Sequence, residues 1–386
     1  MDFVNSKKVY SKTKFDIKKV INKNKHNIFT GSGGSDNVVI VLESVVLKII
    51  PEFTKSKLNT IKMNNDQVEI KFYDFFTREF IMTNITPHIV GMFESTKIYD
   101  ISRMFPKCKT ADELFFIAEK NINKIEKMLC KLKKYHDHKK LLDKADLLVL
   151  EKCTTSIDKE AKLIIESKMS GKNKLKSLQK FVNRTIFQFM YTMASIHKLY
   201  PDFIHNDMFL RNILAINENK YNDNDYVEYI FNNKHYYLEA NGIYIKINDF
   251  GFSLNPPYIT STLVQQINDF PFGNMELNNK LRDMYTFLYD YYDGQNFGCS
   301  SIMSLLKKKP LFKKKIRNIF KKYLDVQTID KIHKINRNKL GNAWNIGDSK
   351  ILKNTVKLPH KYFSDGKFDK YMGLPKDANI VMTYQV

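Results

Sequence analysis

Between residues 174 and 199 apolar side chains return at helical spacing: Leu178, Phe181, Val182, Ile186, Phe189, Met190 and Met193. A stripe of that length specifies an amphipathic helix that must lie against a core. The start of the chain carries a different pattern. "VVIVL" (38–42) and "VVLKII" (45–50) are β-branched runs separated only by Glu43 and Ser44, which reads as a short hairpin. "ADLLVLEKC" (145–153) is a buried strand that exits into polar sequence, while 66–83 and 111–135 have helical spacing. Beyond the strand-like "YIKINDFGFSL" the chain reads as mostly helical, and "NENKYNDNDYVEY" (217–229) as a polar insert. An α+β chain is expected, with a small β-rich lobe and a larger helical lobe dividing near residue 150. A cleft between two such lobes is the default place for a ligand. The expected division is an N-terminal extension (1–27), a first lobe (28–150) with a basic helical insert at about 100–144, a second lobe (151–340) and a C-terminal extension (341–386).

With 386 residues, 43% of them hydrophobic, the chain can bury a sizeable core. Its formal charge of +22 attracts polyanions such as nucleic acid, anionic membrane, nucleotides or acidic proteins, and says nothing about fold. Cys108, Cys130, Cys153 and Cys299 lie far apart with no CxxC pair, so neither a disulfide framework nor a zinc site is expected. The most apolar run is interrupted by Glu43 and Lys48 and is too short to span a bilayer. No transmembrane segment is expected, and the location expected is intracellular and cytoplasmic.

Chemistry concentrates in four places. "TGSGGSDNV" sets Gly31, Gly33 and Gly34 between two strands, where backbone N–H groups can approach phosphate oxygens without a Cβ in the way. A plain hairpin turn would look the same. Lys48, flanked by apolar residues on the next strand, is costly there unless its ammonium meets an anion or reaches water. "FIHNDMFLRNIL" (203–214) places His205, Asp207, Arg211 and Asn212 between two apolar ends, which suits a catalytic loop. "NDFG" puts Asp249 at a strand end, where it can hold a divalent metal or simply begin a turn.

In this order, these parts resemble a divergent eukaryotic-type protein kinase. The nearest likeness is to the serine/threonine kinases of large DNA viruses, of poxvirus and iridovirus type. The resemblance spans roughly residues 28–290 and implies a bilobal protein-kinase-like fold, ATP and Mg2+ as cofactors, and a protein substrate. It implies that Thr30, Gly31, Ser32, Gly33, Gly34 and Val38 cover the nucleotide phosphates and that Lys48 contacts the α and β phosphates. Glu79 is the best match for the lysine's helix partner, with Glu69 as the alternative. Glu151 to Cys153 resembles the hinge that binds adenine through backbone groups. Asp207 would be the catalytic base, Asn212 and Asp249 the magnesium ligands, and Asp283 the aspartate supporting the loop. Several positions depart from the family. Asp36 stands for the third glycine, "HND" for His-Arg-Asp, and no Ala-Pro-Glu follows Asp-Phe-Gly. Phe209 occupies the place of the lysine usual in serine/threonine enzymes, and Arg211 resembles the arrangement in many tyrosine kinases. A small-molecule kinase of choline or aminoglycoside type also carries "HND" with a later Asn, and a pseudokinase or polyanion-binding scaffold is the third reading. Residues 305–324 place Phe312, Ile316, Ile319, Phe320 and Tyr323 on one helical face and lysines on the other. That face reads as a docked helix or as a polyanion or acidic-protein contact.

Overall fold

The computed structural model describes residues 28–30, 37–54, 57–105, 124–259, 280–294, 299–328 and 349–386. The chain divides into two compact units: residues 1–77 with 90–152, and 78–89 with 153–386. The glycine-rich segment 31–36 lies outside the described residues.

In the first unit, β1 (Ile28–Thr30), β2 (Val38–Val41), β3 (Val45–Phe53), β4 (Met92–Tyr99) and β5 (Leu141–Glu151) form one sheet in the order β1-β2-β3-β5-β4. Every pairing in it is antiparallel. The hairpin expected at Glu43–Ser44 is present and sets Lys48 opposite Val39 on one side and Leu148 on the other. Helix α1 (Lys57–Phe76) buries Val68, Phe72, Tyr73 and Phe76, while α2 (Lys124–Asp137) buries Leu129 and Leu132. The residues after α1 widen into a π turn, Thr77–Ile81.

The second unit is organised by α4 (Gly171–Leu199), which follows β6 (Thr155–Ser156) and α3 (Ile157–Glu166). The Ser170 side chain caps α4 by accepting from the Asn173 N–H. Its apolar stripe is buried as the sequence indicates, and so are Arg184, Gln188 and Thr192. A buried polar group must be hydrogen-bonded, and these three are. Arg184 donates to the carbonyls of Glu239, Asn241 and Ile243, and Gln188 to that of Ile243. Thr192 bonds Thr86. Gly242, at φ +116°, lets the intervening turn pass the guanidinium, since a Cβ there would sit 3.3 Å from Arg184 Nη1.

A short 3-10 turn (Leu210–Asn212) leads into β7 (Ile213–Glu218), which pairs with β10 (Gly242–Ile247) and β6. Between β7 and β10, the end of the expected polar insert enters β8 (Asp225–Phe231), which forms a hairpin with β9 (Lys234–Glu239). The helices that follow are α5 (Lys280–Asp293), α6 (Ile302–Leu305), α7 (Pro310–Phe320), α8 (Ser349–Thr355) and α9 (Pro359–Ser364). Strand β11 (Asn379–Gln385) then pairs parallel with β8. The stretch expected as a C-terminal extension therefore contributes α8, α9 and β11 to this unit. Phe187 of α4 packs against Tyr229, Tyr236, Phe363 and Phe368, joining helix, hairpin and C-terminal segment in one aromatic core.

Candidate active site

The first unit holds the lysine. Lys48 Nζ lies 2.5 Å from Glu69 Oε1, with the lysine side chain 13% exposed and the glutamate 4%. The apolar flanks of Lys48 would make a lone ammonium costly, and the α1 carboxylate supplies the anion. This corrects the preferred partner, Glu79, in favour of Glu69. Glu79 falls in the π turn beyond α1, in the second unit, where its carboxylate accepts from the Tyr200 hydroxyl at 3.5 Å. Helix α1 ends at Phe76, so Glu79 lies beyond the helix that carries the lysine's partner. In the same unit, Thr30 pairs with a fully buried Val38. Glu151 ends β5 with its N–H donated to Gly91 O at 2.8 Å and its carboxylate accepting from Gly91 N. Cys153 is half-buried and opens the longer segment of the second unit.

The second unit holds the loop. Arg211 Nη2 donates to both carboxylate oxygens of Asp207, at 2.6 and 2.8 Å. Asn212 Nδ2 donates to Asp207 Oδ2 and to its backbone carbonyl, both at 2.8 Å. The Arg211 guanidinium also rests 4.7 Å from the Phe209 ring centre. Burial pushes the Asp207 carboxyl up to about 6; Arg211 opposes that rise and the Asp249 charge adds to it. Asp207 is therefore ionised at neutral pH yet close enough to neutrality to exchange a proton.

His205 Nδ1 accepts from the Asp207 N–H, which makes Nε2 the protonated nitrogen donating to Asn248 O at 3.2 Å. Burial holds this ring down at about 4, so it is neutral and serves as a brace. Its ring packs on Phe250, at 5.2 Å between centroids. Asp249 is half-buried at φ +66°, left-handed backbone that a non-glycine residue adopts only when its surroundings hold it there. Those surroundings are visible. Asn248 N donates to Asn212 O, Ile204 and Leu254 exchange two backbone hydrogen bonds, and Asn206 Nδ2 reaches Phe252 O. The "PHIV" segment adds a further clamp, since Ile247 N donates to His88 O at the end of β10. His88 itself is fully buried, stacked on Tyr229 and Tyr244.

Helix α5 supports the loop from beneath. Asp283 accepts from the N–H groups of His205 and Asn206 at 2.7 and 2.9 Å. Asp290, absent from the sequence-derived set, accepts from Leu210 N at 2.8 Å. The two carboxylates are seven residues apart, which puts both on one helical face and at the two ends of the loop. Burial pushes each of them up to about 6. The clue in the sequence is that spacing: Asp283 and Asp290, two turns apart, in a helix rich in aromatic residues.

Asn212 is a fitting ligand for a hard cation. With Nδ2 committed to Asp207, its Oδ1 is the end left to coordinate, and Asp249 adds a carboxylate. Oxygen-only donors in this small number suit Mg2+, which is commonly held by one or two protein ligands together with substrate phosphates. Among the described residues no group of three or more His, Cys, Asp and Glu is placed to cage a metal. No described helix is long and apolar enough to cross a membrane.

No family model matches the chain. It is 34% identical over 366 residues to a protein of Acanthamoeba polyphaga mimivirus, covering 91% of this chain and 90% of that one. That relative bears the name "Putative serine/threonine-protein kinase". Identity at that level over nearly the whole length, on a mixed α+β architecture, places this chain in the same family of virus-type serine/threonine-protein kinases.

Proposed function

We infer that the protein is an ATP- and magnesium-dependent protein kinase that transfers the γ-phosphoryl group to serine or threonine hydroxyls of proteins. The observation that carries this reading is the buried Asp207 carboxylate, held by Arg211 and Asn212 with an acidity tuned close to neutrality. In this reading Asp207 accepts the proton of the attacking hydroxyl. Arg211 keeps that carboxylate oriented and anionic, and offers a fixed cation to charge developing on the transferred group. Lys48, positioned by Glu69, contacts the α and β phosphates. Asn212 Oδ1 and the Asp249 carboxylate hold magnesium, which when bound neutralises charge on the β and γ phosphates. His205, Asp283 and Asp290 act on the loop backbone, so that Asp207 need not reorganise as the reaction proceeds.

The test is to incubate the purified protein with labelled ATP and magnesium against acidic proteins, basic proteins and small alcohols. Phosphoserine or phosphothreonine in a protein, lost with Asp207→Asn, is the expected result. Label on a small alcohol alone would move the activity to the small-molecule kinases. Absence of transfer to every acceptor would leave a binding scaffold.

A further inference from the structure

Away from the catalytic loop, the second unit contains an open cavity of about 440 Å³ where the end of α7 meets α8 and the segment after α9. Five lysines line it, Lys321, Lys322, Lys353, Lys357 and Lys367, against one carboxylate, Asp325. That carboxylate is engaged in its own turn, accepting from the backbone N–H groups of Gln327 and Thr328 and from the Thr328 hydroxyl. Lys357 has a partner in Asp365, at 2.6 Å. Among the described residues Lys321, Lys322, Lys353 and Lys367 form no ion pair. The excess charge is felt nearby, because burial and the Lys322 charge together bring Lys370 down to about 8.

The floor of the cavity is tied together. The Tyr362 hydroxyl donates to Tyr323 O at 2.6 Å and accepts from Lys357 N at 2.9 Å, while Asp325 N donates to Thr355 O. Tyr323, Leu324, Val326, Thr355, Val356 and Tyr362 are buried there. The lysines thus stand around a fixed concavity and not along a straight stripe, and like charges gathered this way favour an anion that several of them can share.

We propose that this cavity is a binding site for a small, multiply phosphorylated anion, separate from the nucleotide chemistry. With Lys357 offset by Asp365, the other four lysines against Asp325 leave a surplus of three positive charges, which two phosphates of −1.5 to −2 each would balance. Lysine meets phosphate as a compact point charge, so a rim of lysines suits clustered phosphates presented on a ring or on a short chain. A volume of this size matches a small molecule, whereas a nucleic acid would need an extended track.

Titration calorimetry without nucleotide tests the site, with inositol hexakisphosphate as the ring-borne probe, tripolyphosphate as the linear one, and a single-stranded oligonucleotide. One or both small probes should bind at a single site. Affinity should fall about tenfold or more in the double variant Lys322→Ala/Lys353→Ala, the sum of two modest charge contacts. The control Lys172→Ala/Lys174→Ala, of equal charge change elsewhere in the unit, should leave it unchanged, and so should Lys48→Met. Whichever small probe binds more tightly identifies the arrangement of phosphates. The proposal is overturned if neither small probe binds or if the control pair weakens binding equally. Loss of binding with Lys48→Met, or sensitivity of the oligonucleotide alone to the cavity variant, would also overturn it.

Discussion

Two ion pairs of nearly equal length, one in each unit, invite comparison. Lys48–Glu69 spans 2.5 Å between a strand and a helix 21 residues apart in sequence. Arg211–Asp207 spans 2.6 Å within one loop, at a separation of four. In the first, both groups come from regular elements and the geometry depends on how helix α1 lies on its sheet. In the second, the chain folds back on itself, and the loop is then braced by His205, Asp283 and Asp290. The first pair is a long-range clamp and the second a locally wired acid. Disturbing the acid should cost the most, and disturbing its distant braces the least.

The largest effect is expected from Asp207→Asn, which keeps the shape and removes the proposed base. Transfer should fall by about 10³-fold or more, since the base and the charge it organises act on the transition state. ATP affinity should stay within about tenfold, because a carboxylate facing the substrate hydroxyl adds little to nucleotide binding. Rapid-quench turnover beside nucleotide titration measures both. Turnover at the wild-type rate would remove Asp207 from the chemistry.

Arg211→Ala comes next, with kcat about 10²-fold lower, the scale of losing one preorganised stabiliser, and little change in ATP affinity. Its pH profile carries a distinct signature. Asp207 has a folded-state value near 6, above its ordinary 3.8, and Arg211, with help from the Asn212 hydrogen bond, restrains the rise. The active, ionised form is therefore lost as pH falls through about 6 in the wild type. Without the guanidinium the value climbs further, so the acid limb of log kcat must move to higher pH. An unshifted limb would mean that the arginine only packs on Phe209. Arg211→Lys should recover part of the rate, because an ammonium keeps the charge but loses the planar guanidinium that rests on the Phe209 ring.

These two residues were legible in the sequence for the same reason that their contacts are strong. Asp207, Arg211 and Asn212 lie within six positions, so the motif itself nearly dictates the hydrogen bonds. Lys48 was equally legible as a cation among apolar neighbours, but its partner was not, since a helix offers a carboxylate on several turns and only its packing selects one. The π turn at Thr77–Ile81 takes Glu79 out of the helix that carries Glu69. The long helix α4 declared itself by its period, whereas β8 and β11 did not: "DYVEYIF" and "NIVMTYQ" mix polar and apolar residues without a strict alternation, and their partnership crosses about 150 positions. The roles of Arg184 and Gln188 were hidden too, because a helix pattern shows which residues are buried and not which carbonyls they meet.

The clamp can be separated from its rejected alternative by a pair of variants. Glu69→Gln should lower kcat/KM for ATP about tenfold or more, since an active kinase site needs the lysine held by its glutamate. Glu79→Gln, which alters only a 3.5 Å contact with Tyr200, should stay within about twofold of wild type, as exposed or half-exposed polar contacts usually do. The reverse ranking would return the helix partner to Glu79 and leave Glu69 as a structural carboxylate.

An effect smaller than that of Glu69→Gln is expected at Asp290, whose carboxylate never approaches the reacting atoms in the proposed mechanism. It accepts one backbone N–H, that of Leu210, the residue beside Arg211. Asp290→Asn keeps an acceptor oxygen in nearly the same volume but exchanges a charged acceptor for a neutral one, a difference of about 1 kcal/mol. If that energy holds the Leu210–Asn212 turn in place, kcat should fall about fivefold with ATP affinity unchanged. The Arg211 guanidinium also lies within the field of Asp290. Removing this negative charge leaves Arg211 fully directed at Asp207, so the acid limb should move slightly to lower pH, opposite to Arg211→Ala. A purely structural role would lower the melting temperature and the yield of active enzyme without moving the limb. The direction of that small pH shift therefore decides whether α5 only carries the loop or also tunes the acid it carries.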